Sequence, residues 1–525
     1  MRYFHFCMKV LFVVLLFSTH KNHAQPLANL QKLQGYVEKF NAFDQETAIN
    51  FVPNANAAKW MEDNIPIFEC PDSSIERTYY FRWWVFRKHI KQTPEGFVIT
   101  EFLPDVPWSG KYNTISCPAG HHFYEGRWLR NDEYLKDYAR FWFHGGGSPR
   151  LYSFWAADAM FQMYKVTADK GWITGLLTDL VENYRAWEQA HMDSLGLFWQ
   201  IDDRDGMEIS IGGSGYRATI NSYMFGDAMA ISQIAHLAKN KTIQQEFSDK
   251  ANNIKQLVQN RLWDEKDAFF KVLPRDAGSK LVEVRELHGY VPWYFNLPDR
   301  GPKFAVAWKQ LMDESGFFAP FGPTTAEQRC EKFMFEYPHE CLWNGPSWPF
   351  ATTQTLVALA NLLNRENQTF VSAQDYFQLL KIYTRCHQRT LDNGTIVPWI
   401  DENLDPFTGE WLARSILHQP ERADKDRGKD YNHSGYTDLI ISGLVGLRPR
   451  IDDLVEVNPL LPRGMWDYFL LDKIRYHGYE LTILYDKTGN HYNKGKGFML
   501  FSDHQLIAKA DDLQKLTGKL IIAEK

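Results

Sequence analysis

From roughly residue 35 to residue 445, apolar positions recur every three to four residues in blocks separated by long loops rich in glycine and aromatics. The first clear block is Tyr79–His89, where Tyr80, Trp83, Trp84 and Arg87 fall at helical spacing, and Ser73 with Glu76 reads as a capping box ahead of it. The same period predicts helices over Glu133–Phe143, Tyr152–Val166, Trp172–His191, Ser222–Ala238 and Thr242–Trp263. It continues through Phe304–Glu314, Ala351–Leu363, Ala373–Thr390 and Ser434–Leu447. Helices in series with little strand signal predict a mainly α fold, a closed ring of helical hairpins whose loops at one end form a pocket.

After Leu447-Arg448-Pro449 the period changes to two. Short alternating runs, Lys473–Tyr476, Tyr479–Tyr485, Gly497–Phe501 and Gln505–Ala508, are separated by His477-Gly478, Thr488-Gly489-Asn490 and Ser502-Asp503-His504. These read as strands joined by hairpin turns, so residues 450–525 form a small antiparallel β module behind a helical domain of residues 25–449. Residues 1–24 read as a secretory signal peptide. Arg2 and Lys9 supply charge, Val10–Phe17 the apolar stretch and Ala24 the cleavage site before Gln25. Cys7 precedes that stretch and is not positioned as a lipid-attachment cysteine. No later segment has the ~18 uninterrupted apolar residues of a membrane span, so the expectation is an exported, periplasmic or secreted chain.

A net charge of −6 without a basic run argues against a nucleic-acid partner. The cysteines beyond the leader, Cys70, Cys117, Cys330, Cys341 and Cys386, are odd in number and match neither a disulfide framework nor a zinc pattern. Cys330 and Cys341 are close enough in sequence to pair within one loop. His121-His122 lacks a helical HExxH context, and P-loop, dinucleotide and G-x-S-x-G signatures are absent, so neither metal nor cofactor is expected. The 18 tryptophans suit a core, and equally a site where flat rings pack on the C–H faces of sugars.

Two acidic segments carry the candidate chemistry. Asp205–Tyr216 reads DGMEISIGGSGY and Trp399–Gly409 reads WIDENLDPFTG. Each sets a carboxylate, Glu208 or Glu402, in a turn rich in aromatic, glycine or proline residues. Glycoside cleavage needs one carboxyl to protonate the leaving oxygen and another to activate water. Solvated loop acids are the bland alternative. Trp343-Asn344-Gly345-Pro346-Ser347-Trp348-Pro349 precedes a helix, so Pro349 is ordinary helix-start chemistry, while Trp343 and Trp348 either line a pocket or pack. Asp158, close to Trp155, either caps a helix or binds sugar hydroxyls. In Tyr431-Asn432-His433-Ser434, His433 is the site candidate.

Together these segments resemble the inverting α-glycosidases of glycoside hydrolase family 63 and the related mannosylglycerate and glucosylglycerate hydrolases. The resemblance covers roughly Trp142 to Leu447 and implies a six-hairpin (α/α) barrel. Asp205-Gly206-Met207-Glu208 is similar to that family's S-G-[ML]-D segment, which implies Glu208 as general acid. Glu402–Gly409 is similar to E-[YN]-x-D-P-x-T-G, which implies Glu402 as general base. Trp343–Pro349 is similar to the W-R-G-P-x-W-P substrate loop, with Asn344 where Arg is usual. Trp155–Asp158 is similar to the W-D segment of subsite −1, with Asp158 shifted within it. Arg285–Tyr290, running on to Pro298, is similar to the loop on the leaving-group side.

The reading is an exported glycoside hydrolase inverting an α-linked sugar, with Asp205 as reserve acid. Trp155, Asp158, Asp205, Tyr216, Arg217, Trp343, Asn344, Gly345, Trp348 and His433 are the candidate substrate contacts. The alternatives are a non-catalytic glycan-binding protein and another (α/α)-barrel enzyme, a lyase or epimerase. A lyase would use a cationic clamp such as Arg217 beside a tyrosine or histidine base.

Overall fold

The computed structural model describes residues 30–276, 278–417 and 427–521, so the leader, including Ala24 and Cys7, lies outside the described residues. The chain folds as a helical body with a C-terminal set of antiparallel strands. The long helices begin where local chemistry lets them. Ser73–His89 is capped by Asp72, whose side chain accepts from the backbone N–H groups of Ser74 and Ile75. Glu76, expected to close a capping box with Ser73, instead accepts from Lys32 Nζ at 2.6 Å. Pro349 opens Pro349–Arg365 near N1, where its missing N–H does no harm. Ser372 and Asp375 form a capping box for Ala373–Cys386.

Several helices depart from the periodicity. The expected Tyr152–Val166 starts only at Ala156, because residues 152–154 run as loop, pinned by Tyr152 N–H donating to Ser116 Oγ and Ser153 N–H to the Arg204 carbonyl. Trp172–His191 splits into Lys170–Gly175 and Leu177–His191 after Gly175, a poor helix former. Phe304–Glu314 is reduced to the turn Pro302–Ala305 and a 3₁₀ stretch, Val306–Gln310. Ser434–Leu447 becomes Tyr436–Asp438 followed by the π-helical Leu439–Leu444.

The helices neighbour one another in an ordered circuit. Ala119–Gly126 packs on Ala156–Thr167, which packs on Ala218–Leu237. That helix meets Val291–Tyr294, which packs on Pro349–Arg365. Pro349–Arg365 meets Leu439–Leu444, continuous with Tyr436–Asp438, and the latter packs back on Ala119–Gly126. The loops before these helices lie at one end of the circuit.

The C-terminal strands build a five-stranded antiparallel sheet in the order Ile67–Glu69, Tyr468–Tyr476, Tyr479–Asp486, Gly497–Ser502, Gln505–Ala510. Its first strand comes from the N-terminal region, with Ile67 opposite Asp472, which ties the β module to the helical body. A second sheet joins Leu447–Arg448, Leu454–Val457 and Leu516–Lys519. Among the described residues no helix is long and apolar enough to cross a membrane.

Candidate active site

The loops at the N-terminal ends of the circuit enclose a cavity of about 270 Å³. Glu208 and Glu402, far apart in sequence, both line it. The Trp343–Pro349 loop joins them. Trp343 N–H donates to the Glu208 carbonyl at 3.0 Å, and Ser347 and Leu404 exchange two backbone hydrogen bonds, each 3.0 Å. Backbone bonds at both ends of one loop therefore hold the two acidic segments against each other. Gly206 is required beside Glu208. Its φ is +71°, and a Cβ there would meet Cys117 Sγ at 2.4 Å.

The two carboxyls sit in different electrostatic surroundings. Burial, helped by the negative charges of Asp203 and Glu402, pushes the half-buried Glu208 up to about 8, against a smaller opposing contribution from its own backbone N–H. Glu402 is almost wholly enclosed. Its Oε1 accepts from Arg427 Nε at 3.0 Å and Nη2 at 2.8 Å, and its Oε2 from the Cys341 thiol at 3.1 Å. Burial raises Glu402 as well, with the Arg427 guanidinium opposing it most strongly. One carboxyl is thus kept protonated, and the other carries the donors that stabilise its anion.

The aromatic candidates divide. Trp343 and Trp348 line the cavity and stack on each other, with centroids 4.5 Å apart and an interplanar angle of 17°. They are wall and packing at once. His433 also lines it, edge-on to Trp348 at 5.8 Å, and burial holds its pKa well below the usual value, so it is neutral. Trp155 does not line the cavity; it is fully buried against Tyr223, Tyr294 and Phe350.

Other candidates lie elsewhere. Asp158, expected at subsite −1, accepts from Tyr124 Oη at 2.6 Å and Gln162 at 3.1 Å and lines a second, separate cavity. Asp205, the reserve acid, is fully buried outside the cavity lining and accepts from Arg217 Nε at 2.8 Å and from Thr219 Oγ1. Arg217 is consumed by that bond and by others to Gly213 and Ser210. Tyr216 donates to Asp193 Oδ2 at 2.5 Å. The cationic clamp that a lyase would need is therefore not supplied by Arg217. Asn344 and Gly345 stay out of the cavity and fasten the loop, Asn344 to the Phe335 carbonyl and Gly345 to Thr325.

Several lining residues escaped the sequence reading. Glu101, Asp203 and Glu340 are further carboxyls lining the cavity, and Glu101 is raised to about 8 by burial, against its hydrogen bond with Tyr431. Its segment, Glu101-Phe102-Leu103-Pro104-Asp105-Val106-Pro107-Trp108, has the same acid, aromatic and proline composition as the two segments singled out, and that signal could have found it. Arg427 lies in a charge-dense run that reads as solvent-facing loop. Arg204 and Tyr152 pair at the wall, the guanidinium 5.0 Å from the ring centroid. The five described cysteines are free thiols, so Cys330 and Cys341 are not bonded. Among the described residues no group of three or more His, Cys, Asp or Glu side chains could hold a metal ion.

A solved structure named a sialidase superposes on this chain with a TM-score of 0.88 at 43% identity, covering 94% of this chain and 45% of the other. The GH63 mannosylglycerate hydrolase from Thermus thermophilus, in complex with Tris and D-glycerate, aligns with a TM-score of 0.52 at 12% identity, over 69% of this chain and 98% of its own. The α-L-rhamnosidase of Streptomyces avermitilis, complexed with L-rhamnose, aligns with a TM-score of 0.51 at 12% identity, over 84% and 38%. At 12% identity the likeness is one of fold. A Borreliella burgdorferi protein is 24% identical over 146 residues, 27% of this chain and 30% of its own length. The chain thus spans less than half the length of the sialidase and less than a third of the Borreliella protein in these matches. The model of the mannosylglycerate hydrolase MGH1-like glycoside hydrolase domain matches residues 111–434, more than half of the chain and every cavity-lining segment except the one carrying Glu101, Phe102 and Trp108, and the chain belongs to that family.

Proposed function

We propose that the chain hydrolyses an α-linked glycosidic bond with inversion. Its working domain, residues 25–449, would be a six-hairpin (α/α) barrel with the β module of residues 450–525 appended, exported behind a leader of residues 1–24. The unequal pair of carboxyls in one cavity carries this reading. Glu208 is protonated near neutral pH, and Glu402 is bonded twice by a guanidinium. Glu208 would deliver its proton to the glycosidic oxygen as the C–O bond breaks. Glu402 would take a proton from water as the water oxygen attacks the anomeric carbon from the opposite face. Glu208 ends ionised and Glu402 protonated, and exchange with solvent resets both. This arrangement requires the carboxyls to stand roughly 6.5–9.5 Å apart. Trp343, Trp348 and Tyr152 would pack against the sugar, with His433 as a neutral hydrogen-bonding partner. The circuit of helical contacts and the fold likeness to the GH63 enzyme support the barrel.

The protein named a sialidase is more than twice as long as the part that matches, so the activity in its name is not transferred to this chain. The sugar is therefore sought by experiment. Proton NMR follows the first anomer released from a panel of α-mannosides, α-glucosides, α-L-rhamnosides and an α-sialoside. The expected result is hydrolysis of one class with the inverted anomer appearing first. Initial release of the retained anomer overturns the mechanism. Saturable sugar binding without turnover would support the glycan-binding alternative instead. Intact mass of the exported protein tests the leader, with a mature chain beginning at Gln25 expected.

A further inference from the structure

A second cavity, about 600 Å³ in volume, lies between the same helices farther along their length, away from the loops that carry Glu208 and Glu402. Its rim holds Met229, Arg300 and Arg365, and its floor is formed by Tyr124, Arg127, Asp438 and Ser442. The size suits a small organic molecule, since such sites run to roughly 300–1,000 Å³. None of its lining residues belongs to the catalytic cavity.

The floor is short of acceptors. The Arg127 side chain is only 3% exposed. Its Nη2 donates to Asp438 Oδ1 at 2.8 Å and Ser442 Oγ at 3.1 Å and its guanidinium lies over the Tyr124 and Trp128 rings at 4.7 and 5.0 Å, but its Nε and Nη1 have no hydrogen-bond partner among the described residues. Leaving a buried donor unmatched costs about 1–3 kcal/mol, and more when the group is charged. On the wall, Lys165 makes no hydrogen bond or ion pair through its ammonium among the described residues and sits over the Phe161 ring at 5.2 Å. Arg448 donates only to neutral oxygens, Asn361 Oδ1 at 2.6 Å and the Ser442 carbonyl at 3.2 Å.

The charges do not balance. Five cations line the cavity, Arg127, Lys165, Arg300, Arg365 and Arg448, against three acids, Asp158, Asp438 and Glu456. Asp438 is already committed to Arg127 and the Trp128 indole, and Glu456 to Arg450 and Lys515. Lys165 and Arg365 fall in the last turns of their helices, where the helix dipole favours a cation. That accounts for two positions. It does not account for a buried Arg127 with unmatched donors or for Arg448 facing the same space.

We propose that this cavity binds a small polyoxygenated anion, a phosphorylated or carboxylated molecule of sugar size, with Arg127, Lys165 and Arg448 as its charged contacts. Guanidinium groups and an ammonium supply charge-assisted hydrogen bonds to phosphate or carboxylate oxygens. Asp158, Asn361 and Asn364 line the same space and can meet hydroxyls. The catalytic cavity and this one would then hold different molecules at once.

Isothermal titration calorimetry of the full chain with glucose 6-phosphate and with citrate, against uncharged glucose, tests the proposal. Saturable binding of at least one charged probe is expected, weakened by salt and not reproduced by glucose. Binding to the first probe but not the second points to phosphate, and the reverse to carboxylate. Lys165→Met should weaken binding at least ten-fold, while Glu208→Gln should bind as the unaltered protein does. Arg127→Met also breaks a buried ion pair, so Arg300→Ala at the exposed rim serves as the second variant, with a several-fold loss expected. Absence of saturable binding by either anion overturns the proposal. So does binding that Lys165→Met leaves intact, or that Glu208→Gln abolishes.

Discussion

Replacing Glu208 by Gln should stabilise the fold in a pH-dependent way while destroying activity, and both effects follow from the same buried carboxyl. Burial moves this group from its usual 4.5 to about 8. The rise of about 3.5 corresponds, at 1.36 kcal/mol for each pH unit, to up to about 5 kcal/mol. Between pH 4.5 and 8 the folded chain holds the proton and the unfolded chain has released it, so stability falls as pH rises through this window. Above pH 8 the penalty is constant, and below 4.5 it is absent. A glutamine cannot ionise and carries no such penalty. The variant should therefore match the parent near pH 4.5, exceed it by about 3 kcal/mol at pH 7, and by up to about 5 kcal/mol at pH 8 and above.

Calorimetric Tm values across pH 5–9 read this directly, with the gap between the two proteins widening toward the alkaline end. On an unactivated α-glycoside the variant should lose ~100-fold or more in kcat, as loss of a general acid does. An α-glycosyl fluoride needs no proton for its leaving group, so its hydrolysis should survive in Glu208→Gln and fail in Glu402→Gln. A Tm gap that stays constant with pH would show that Glu208 titrates like a surface acid and would refute the reasoning. Equal loss of fluoride hydrolysis in both variants would refute the division of roles.

Cys341→Ala removes the thiol that donates to Glu402, a bond that lowers the carboxyl's pKa, so the acidic limb of the kcat/KM profile should move to higher pH. An unmoved limb would exclude Glu402 as its source. Trp348→Ala breaks the stack with Trp343 and opens the cavity wall, so it should cost ~3–5 kcal/mol of stability and raise KM together. Thermal melts and initial rates on one preparation check both. Arg217→Ala strands the Asp205 charge in a fully buried position and should destabilise by ~3–5 kcal/mol, measured as Tm. Pairing it with Asp205→Leu should recover much of that loss; no recovery would mean that the pair acts through packing alone.

How far the site was legible before folding depends on what kind of information each residue's position carries. Glu208 and Glu402 stood out because a carboxylate in a glycine-, proline- and aromatic-rich turn is poorly explained by solvation, and both line one cavity. Glu101 belongs to a segment of the same kind and was passed over, because an acid/base mechanism asks for only two carboxyls, whereas Asp203 and Glu340 also line the cavity beside these three. Arg427 left no trace, since a charge-dense run looks identical whether one guanidinium turns inward or none does. A helical period was read even in Tyr79–His89, whose residues are all buried, because that block belongs to a helix of 17 residues. Ala119–Gly126 was missed because its eight buried residues span barely two turns, too few to set a period. Asp158 shows the opposite error, in which a short motif carried a residue too far. It lies three positions beyond Trp155, about 4.5 Å farther along a helix at 1.5 Å per residue, on a helix whose start faces the loop end of the circuit. Trp155 at the helix start already lies outside the Glu208–Glu402 cavity, and the Asp158 carboxyl, deeper along the helix, lines the basic one behind it. Motif spacing fixes which loop a residue belongs to. Which cavity its side chain enters depends on helical phase and depth, and these emerge only when the hydrogen bonds from Trp343 to Glu208 and from Ser347 to Leu404 bring the distant loops together.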